Sequence, residues 1–183
     1  MEGMKILAIS TSTAHCSAAL WVEGDVREIT QYAPRGHGEL LLPMIDTLLR
    51  EASVSLPQLD ALACDTGPGS FTGVRIGMSV AQGLAWGATR PVVAISALAA
   101  LAYGAYRRCG ARHILTALHA RPDEVYWAAY DMANDGAPQL IDGEKITAVQ
   151  NISLPHSGVW AIAGDAWSRY AALRTLADPT LML

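Results

Sequence analysis

Nowhere in this chain do two cysteines stand close together. Cys16, Cys64 and Cys109 are odd in number and far apart, with no CxxC pair, which argues against a disulfide framework and a cysteine zinc site and fits a reducing cytoplasm. Long apolar runs are missing too: none reaches the roughly 18 residues a membrane span needs. Residues 4–9 are too short for a signal-peptide core and run into polar Ser10-Thr11-Ser12-Thr13. Charge is scarce, at 16% of 183 residues, and the net of −4 leaves little for neutralising phosphates. One basic knot, Arg107-Arg108 with Arg112 near Tyr103 and Tyr106, could touch a nucleic-acid backbone, although such a knot is more often the solvated end of a helix, where cations suit the dipole. Apolar residues are what the chain has in excess, 51% of the total, with a mean hydropathy of +0.23. That surplus allows a sizeable core and points to a protein partner. Trp21, Trp86, Trp127, Trp160 and Trp167 are scattered, which suits core anchors better than a base-stacking platform.

Residues 5–10, 17–22 and 26–31 read as three strands, the last two joined by a turn at Glu23-Gly24-Asp25. Leu40, Leu41, Met44, Ile45, Leu48 and Leu49 then follow a 3.6-residue period, with Pro43 either in the first turn of that helix or kinking it. A strand over residues 59–64, a helix over 73–86, a strand over 92–95 and a helix over 97–107 complete a β-β-β-α-β-α-β-α order. Paired strands at 114–119 and 124–131, a turn at Asn134-Asp135-Gly136, a third strand over 139–146, a strand over 160–163 and a helix over 168–176 make a second lobe. The expected division is residues 1–98 and 99–183, with no internal sequence repeat.

The most informative stretch is Asp65-Thr66-Gly67-Pro68-Gly69-Ser70-Phe71-Thr72-Gly73-Val74-Arg75-Ile76-Gly77, where a strand enters a Gly/Pro turn and then a helix that Ser70 or Thr72 can cap. Free N–H groups at such a turn could hold an anion, although the spacing is neither a P-loop nor GxGxxG. Otherwise the glycines serve positive φ and close packing. Further on, Gly77, Ala81, Ala85 and Ala88 make a face with almost no bulk, suited to another helix at short distance.

GPGSFTGVRIG followed by Ala81-Gln82-Gly83-Leu84-Ala85 resembles the signature of the TsaB (YeaZ) family, the non-catalytic partner of the enzyme that builds threonylcarbamoyladenosine in bacterial tRNA. The likeness extends to the opening strand with Thr-Ser-Thr, to His37 before Leu41-Leu42-Pro43, and to Asp123-Glu124-Val125-Tyr126. It implies a two-lobed α/β fold of the actin, sugar-kinase and Hsp70 superfamily, with mixed sheets flanked by helices. Family chains continue into a segment ending near a Tyr-Leu-Arg motif, so a shortened C-terminal lobe is expected here.

The resemblance also implies partners: a TsaD-like catalytic subunit, a TsaE-like ATPase in the complex, tRNA indirectly, and a second copy when the chain is alone. His37, Leu41, Met44, Ile45 and Leu48 on the first helix, with Val74, Gly77, Met78, Ala81 and Ala85 on the second, are the expected partner interface. No catalytic residue or metal is expected on this chain, the cofactor-binding residues are left open, and ATP or ADP could sit at the interface of the complex. Active superfamily members end the first strand in an Asp that positions the nucleotide's metal. Here that position is Ser10, which lowers the standing of a phosphotransferase or ATPase. TsaD holds its metal with HxxxH on the first helix; His37 has Leu41 at the partner position, which disfavours a metalloprotease. His113 and His119 are too far apart along a strand to share an ion, and Ser70 lies outside GxSxG. Asp60, Asp65, Asp123 and Glu124 could in principle form an acid/base pair across a cleft, but read as ordinary strand-end carboxylates.

Overall fold

The computed structural model describes residues 3–176, which fall into two compact units, the first running to Ser96 and the second starting at Ala97. In the first, β1 (Lys5–Ser10), β2 (His15–Val22) and β3 (Asp25–Tyr32) form an antiparallel meander. Glu23 and Gly24 both take positive φ, 55° and 102°, as a two-residue turn matched to strand twist requires. After α1 (His37–Glu51), β4 (Ala61–Asp65) lies parallel to β1; after α2 (Phe71–Ala88), β5 (Val92–Ile95) lies parallel to β4. The sheet order is therefore β3-β2-β1-β4-β5.

Strand alternation selects what this sheet buries. Leu7 and Ile9 of β1, Cys16, Ala18 and Leu20 of β2, and Leu62 and Cys64 of β4 share one face with Leu41, Met44, Ile45 and Leu48 of α1 and Ala81 and Ala85 of α2. Pro43 sits one turn deeper than a first-turn proline, on the exposed side of α1, where its missing N–H is least costly. Ser70 caps α2 by accepting from the Gly73 N–H at 3.3 Å, and Thr89 closes it in the left-handed region at φ 55°.

The second unit repeats this plan without repeating its sequence. After α3 (Ala97–Cys109), β6 (His113–Arg121) pairs antiparallel with β7 (Glu124–Met132) and parallel with β10 (Ala161–Ala163), as β1 does with β2 and β4. Ile114 and Leu118 of β6 pack under Leu98, Ala102 and Ala105 of α3, while Leu115 and Ala117 face Trp127, Trp160 and Trp167. A strand covered on both sides reads as a continuous apolar run, which explains the 114–118 segment.

Two elements differ from the sequence reading. The strand expected over 139–146 is two strands, β8 (Pro138–Leu140) and β9 (Lys145–Ala148), which pair with opposite ends of β7. Gly143, at φ 69°, carries the chain outward between them. The helix expected over 168–176 is α4 (Ala166–Arg169) followed by a 3₁₀ segment at Ala171–Thr175. Tyr170 breaks it with extended backbone, its hydroxyl 2.8 Å from His119 Nδ1.

Candidate functional site

The carboxyl ends of parallel strands β1 and β4 meet at the turn Ser10–Thr13, the place where open α/β sheets usually bind ligands. Here the chain itself occupies that place. Ser10 Oγ donates to Asp65 Oδ2 at 2.5 Å and Ser12 Oγ to the same oxygen at 2.7 Å. Thr11 Oγ1 donates to the Gly73 carbonyl at 2.7 Å, and the Ser12 carbonyl accepts from the Ser70 N–H at 2.7 Å. Thr13 is held from α1, where His37 Nε2 donates to its carbonyl at 3.0 Å, which fixes the ring's tautomer.

The glycines follow from this closure. A Cβ at Gly73 would strike the Thr11 carbonyl, one at Gly69 the Ser12 carbonyl, and one at Gly77 the Thr11 hydroxyl. The small-residue face of α2 thus packs on its own lobe. It meets the β1–β2 turn and the sheet, and Ala81 and Ala85 share a core with Leu41, Met44, Ile45 and Leu48 of α1.

Asp65, read from sequence as an ordinary carboxylate, is the hub of this cluster and is buried. Its Oδ1 and His37 Nδ1 are buried without a hydrogen-bond partner. Its charge, after burial, helps push the neighbouring Cys64 thiol up to about 11, so that thiol stays protonated and inert. The one sequence signal was position: an acid closing a parallel strand directly before the glycine turn.

The remaining candidates disperse. Leu41 is in the core, and among the described residues no group of three or more His, Cys, Asp or Glu is arranged to hold a metal ion. His113 stacks near His156 and Trp160, whereas His119 binds Tyr170. Asp60 accepts from the Lys5 N–H at 2.6 Å, and Glu124 lies 3.9 Å from Arg121 across the hairpin where Asp123 takes positive φ. Of the arginine knot, Arg112 binds Asp131 at 2.9 Å and holds its carboxyl below the usual range. Trp160 and Trp167 are fully buried, Trp127 is buried, and Trp21 and Trp86 are exposed.

The ten expected interface residues separate in the same way. Leu41, Met44, Ile45, Leu48, Ala81 and Ala85 belong to the lobe's own core, Gly77 and His37 are buried, and Val74 and Met78 are half-buried. An amphipathic helix turns its apolar stripe first toward its own sheet. What α1 and α2 present outward is different: Leu42 at 49% exposure, Phe71 at 70% and Trp86 at 89%. On α2, Phe71, Thr72, Arg75, Ile76, Ser79 and Val80 line an open groove of about 470 Å³, with the Arg75 guanidinium 3.5 Å from the Phe71 ring centroid.

Strand order, lobe duplication and paired mixed sheets define the actin-like class of α/β proteins. The family model "TsaD: tRNA N6-adenosine threonylcarbamoyltransferase" matches residues 29–172. The tRNA threonylcarbamoyladenosine biosynthesis protein TsaB of Escherichia coli is 43% identical over 93% of this chain and 75% of its own length. That of Buchnera aphidicola subsp. Schizaphis graminum is 34% identical over 90% and 80%. YeaZ from Pseudomonas aeruginosa superposes with a TM-score of 0.88 at 42% identity, covering 92% of this chain and 79% of that one. The chain belongs to the TsaB (YeaZ) family, whose named members serve tRNA threonylcarbamoyladenosine biosynthesis.

Proposed function

We propose that the protein is a non-catalytic scaffold subunit that binds a TsaD-like catalytic subunit and supports its transfer of a threonylcarbamoyl group to the adenosine beside the anticodon of tRNA. The carrying observation is the closed turn: the groups of Ser10–Thr13 that would cradle a phosphate are engaged by Asp65, Ser70, Gly73 and His37. Asp65 supplies the phosphotransferase alternative with a carboxylate, yet its Oδ2 is taken by two serines and the approach to Ser12 is filled by Gly69. Docking uses the outward faces of α1 and α2, where Leu42, Phe71 and Trp86 expose apolar area that neither helix needs for its own lobe. The isolated chain pairs with a second copy through the same face, and the catalytic subunit competes for it. A TsaE-like ATPase joins the complex, with ATP or ADP at the shared interface, in the cytoplasm.

The test is reconstitution. Purified chain, a TsaD-like subunit and a TsaE-like ATPase, supplied with ATP and an activated threonylcarbamoyl donor, should modify tRNA together and lose activity when this chain is left out. Hydrolysis of ATP by the chain alone at the rate of the complex would defeat the proposal, as would full modification without it.

A further inference from the structure

His113 and His156 have no part in the closed turn of the first unit or in its outward helix face. In the second unit the ring of His113, on β6, and that of His156, in the segment before β10, meet edge to face with centroids 4.8 Å apart. Both lie against Trp160, at 5.2 and 5.0 Å. Beside them Asp131 of β7 is held by Arg112, Nε to Oδ1 at 2.9 Å, and the same oxygen is 4.0 Å from His113 Nε2. Arg112 first, with smaller pulls from both imidazoles, keeps that carboxyl below the usual range. His156 Nδ1 donates to the Ser157 carbonyl at 3.0 Å, and the His156 carbonyl accepts from Trp160 Nε1 at 3.2 Å. One residue thus ties an exposed turn to an indole that is only 1% exposed.

With both rings neutral the cluster is balanced, one guanidinium on one carboxylate and two imidazoles against each other. Ordinary histidines charge as pH falls through about 6.5. A first proton on His113 has the Asp131 carboxylate to face. A second, on His156, sets like charges ring against ring with Arg112 alongside, three cations to one acid. The ionisable side chains that bear on the pair are Arg112 from the turn after α3 and Asp131 from β7, while Trp160 brings only its ring. We propose that His113 and His156 form a pH-sensitive clasp, which holds residues 152–160 on the second sheet near neutral pH and releases them in mildly acid solution when both rings are protonated. The contact is complete above the histidine range and is lost below it. Release also takes the His156 carbonyl from Trp160, one residue before the edge strand β10.

Amide hydrogen exchange of the full chain, read by mass spectrometry at about pH 7.5 and about pH 5.5 and corrected for intrinsic exchange, tests the clasp. Protection of residues 152–160 should fall about fivefold or more at the lower pH, while the 114–118 run of β6 keeps its protection. His156→Asn replaces an exposed side chain with an uncharged one, so the fold should persist by circular dichroism. Whatever its level of protection at neutral pH, that variant should show no fall on acidification, and neither should His113→Asn. His156→Lys, charged at both pH values, should leave the segment equally open at both. A parent segment that exchanges alike at the two pH values overturns the proposal. So does a fall that survives in His156→Asn, which assigns the acid sensitivity to another group. Loss of protection over 114–118 together with 152–160 is acid unfolding of the whole unit and overturns the clasp as well.

Discussion

Thr11 and Gly73 are locked reciprocally: the Thr11 hydroxyl donates to the Gly73 carbonyl at 2.7 Å, and the Thr11 carbonyl fills the space where a Gly73 side chain would stand. Gly73→Ala therefore drives a methyl group into backbone that has no rotamer to escape through. We expect a loss of about 3 kcal/mol or more, read by urea unfolding. A variant as stable as the parent would mean that α2 shifts freely on the turn.

Ala81 is 0% exposed beneath the sheet. Ala81→Arg should unfold the first lobe, at a cost of about 3–5 kcal/mol for a buried unpaired charge, instead of leaving a folded monomer with a spoiled interface. Circular dichroism with size-exclusion chromatography separates the outcomes. The informative interface variant is Trp86→Asp, which should keep its fold and lose association.

Asp65→Ala leaves the Ser10 and Ser12 hydroxyls without their shared acceptor, an expected loss of about 1–3 kcal/mol. If Asp65 is structural, Asp65→Asn keeps an acceptor, retains most of that stability and leaves tRNA modification by the reconstituted complex unchanged. A selective loss of modification in a stable Asp65→Asn protein would make it a functional carboxylate.

Cys64 gives a pH dependence of definite sign. Its thiol is raised from 9.0 to about 11 in the folded chain, by burial first and by Asp65 second. The folded state therefore holds its proton longer than the unfolded state. The contribution to stability is complete below pH 9 and is lost as pH climbs toward 11. Chemical denaturation across that range should fall more steeply for the parent than for Cys64→Ala, and native Cys64 should resist alkylation at about pH 8, below that range.

Alone, the protein should bind tRNA more weakly than about 1 μM at physiological salt, with a shallow salt slope because few phosphates are neutralised, Arg112 being already paired with Asp131. Reversing Arg107, Arg108 and Arg112 to Glu should leave modification by the complex near normal. A complex that assembles but modifies poorly would give the cluster a direct RNA role.

Local pattern announced most of the architecture. Alternation in β1 and β2, the 3.6-residue repeat of α1 and the Ser70 cap are written within a few residues of one another, and they are found as expected. Contacts across long sequence separations were not legible. Nothing near Asp65 says that Ser10 and Ser12, 55 and 53 residues away, will share its oxygen. A stripe such as Leu41–Met44–Ile45–Leu48 states that it will be buried without stating against what, and the lobe's own sheet claimed it. The proposed interface is instead traced by the residues that break the amphipathic rule, Leu42 and Trp86. Tyr170 escaped for the same reason, its helix-breaking anchor being His119 on another strand.

Helix α2 is tethered at both ends. At the front, Ser70 and Gly73 are bound to the β1–β2 turn; at the back, Arg90 reaches the Ala85 carbonyl through its N–H and the Pro57 carbonyl through its guanidinium, at 2.9 and 2.6 Å. A partner docked as proposed on Phe71 and Trp86 would meet a platform that has already surrendered its backbone freedom. Only side chains would remain to be ordered, so such an interaction would be preorganised, and a modest apolar patch could hold a subunit more tightly than its area alone would suggest.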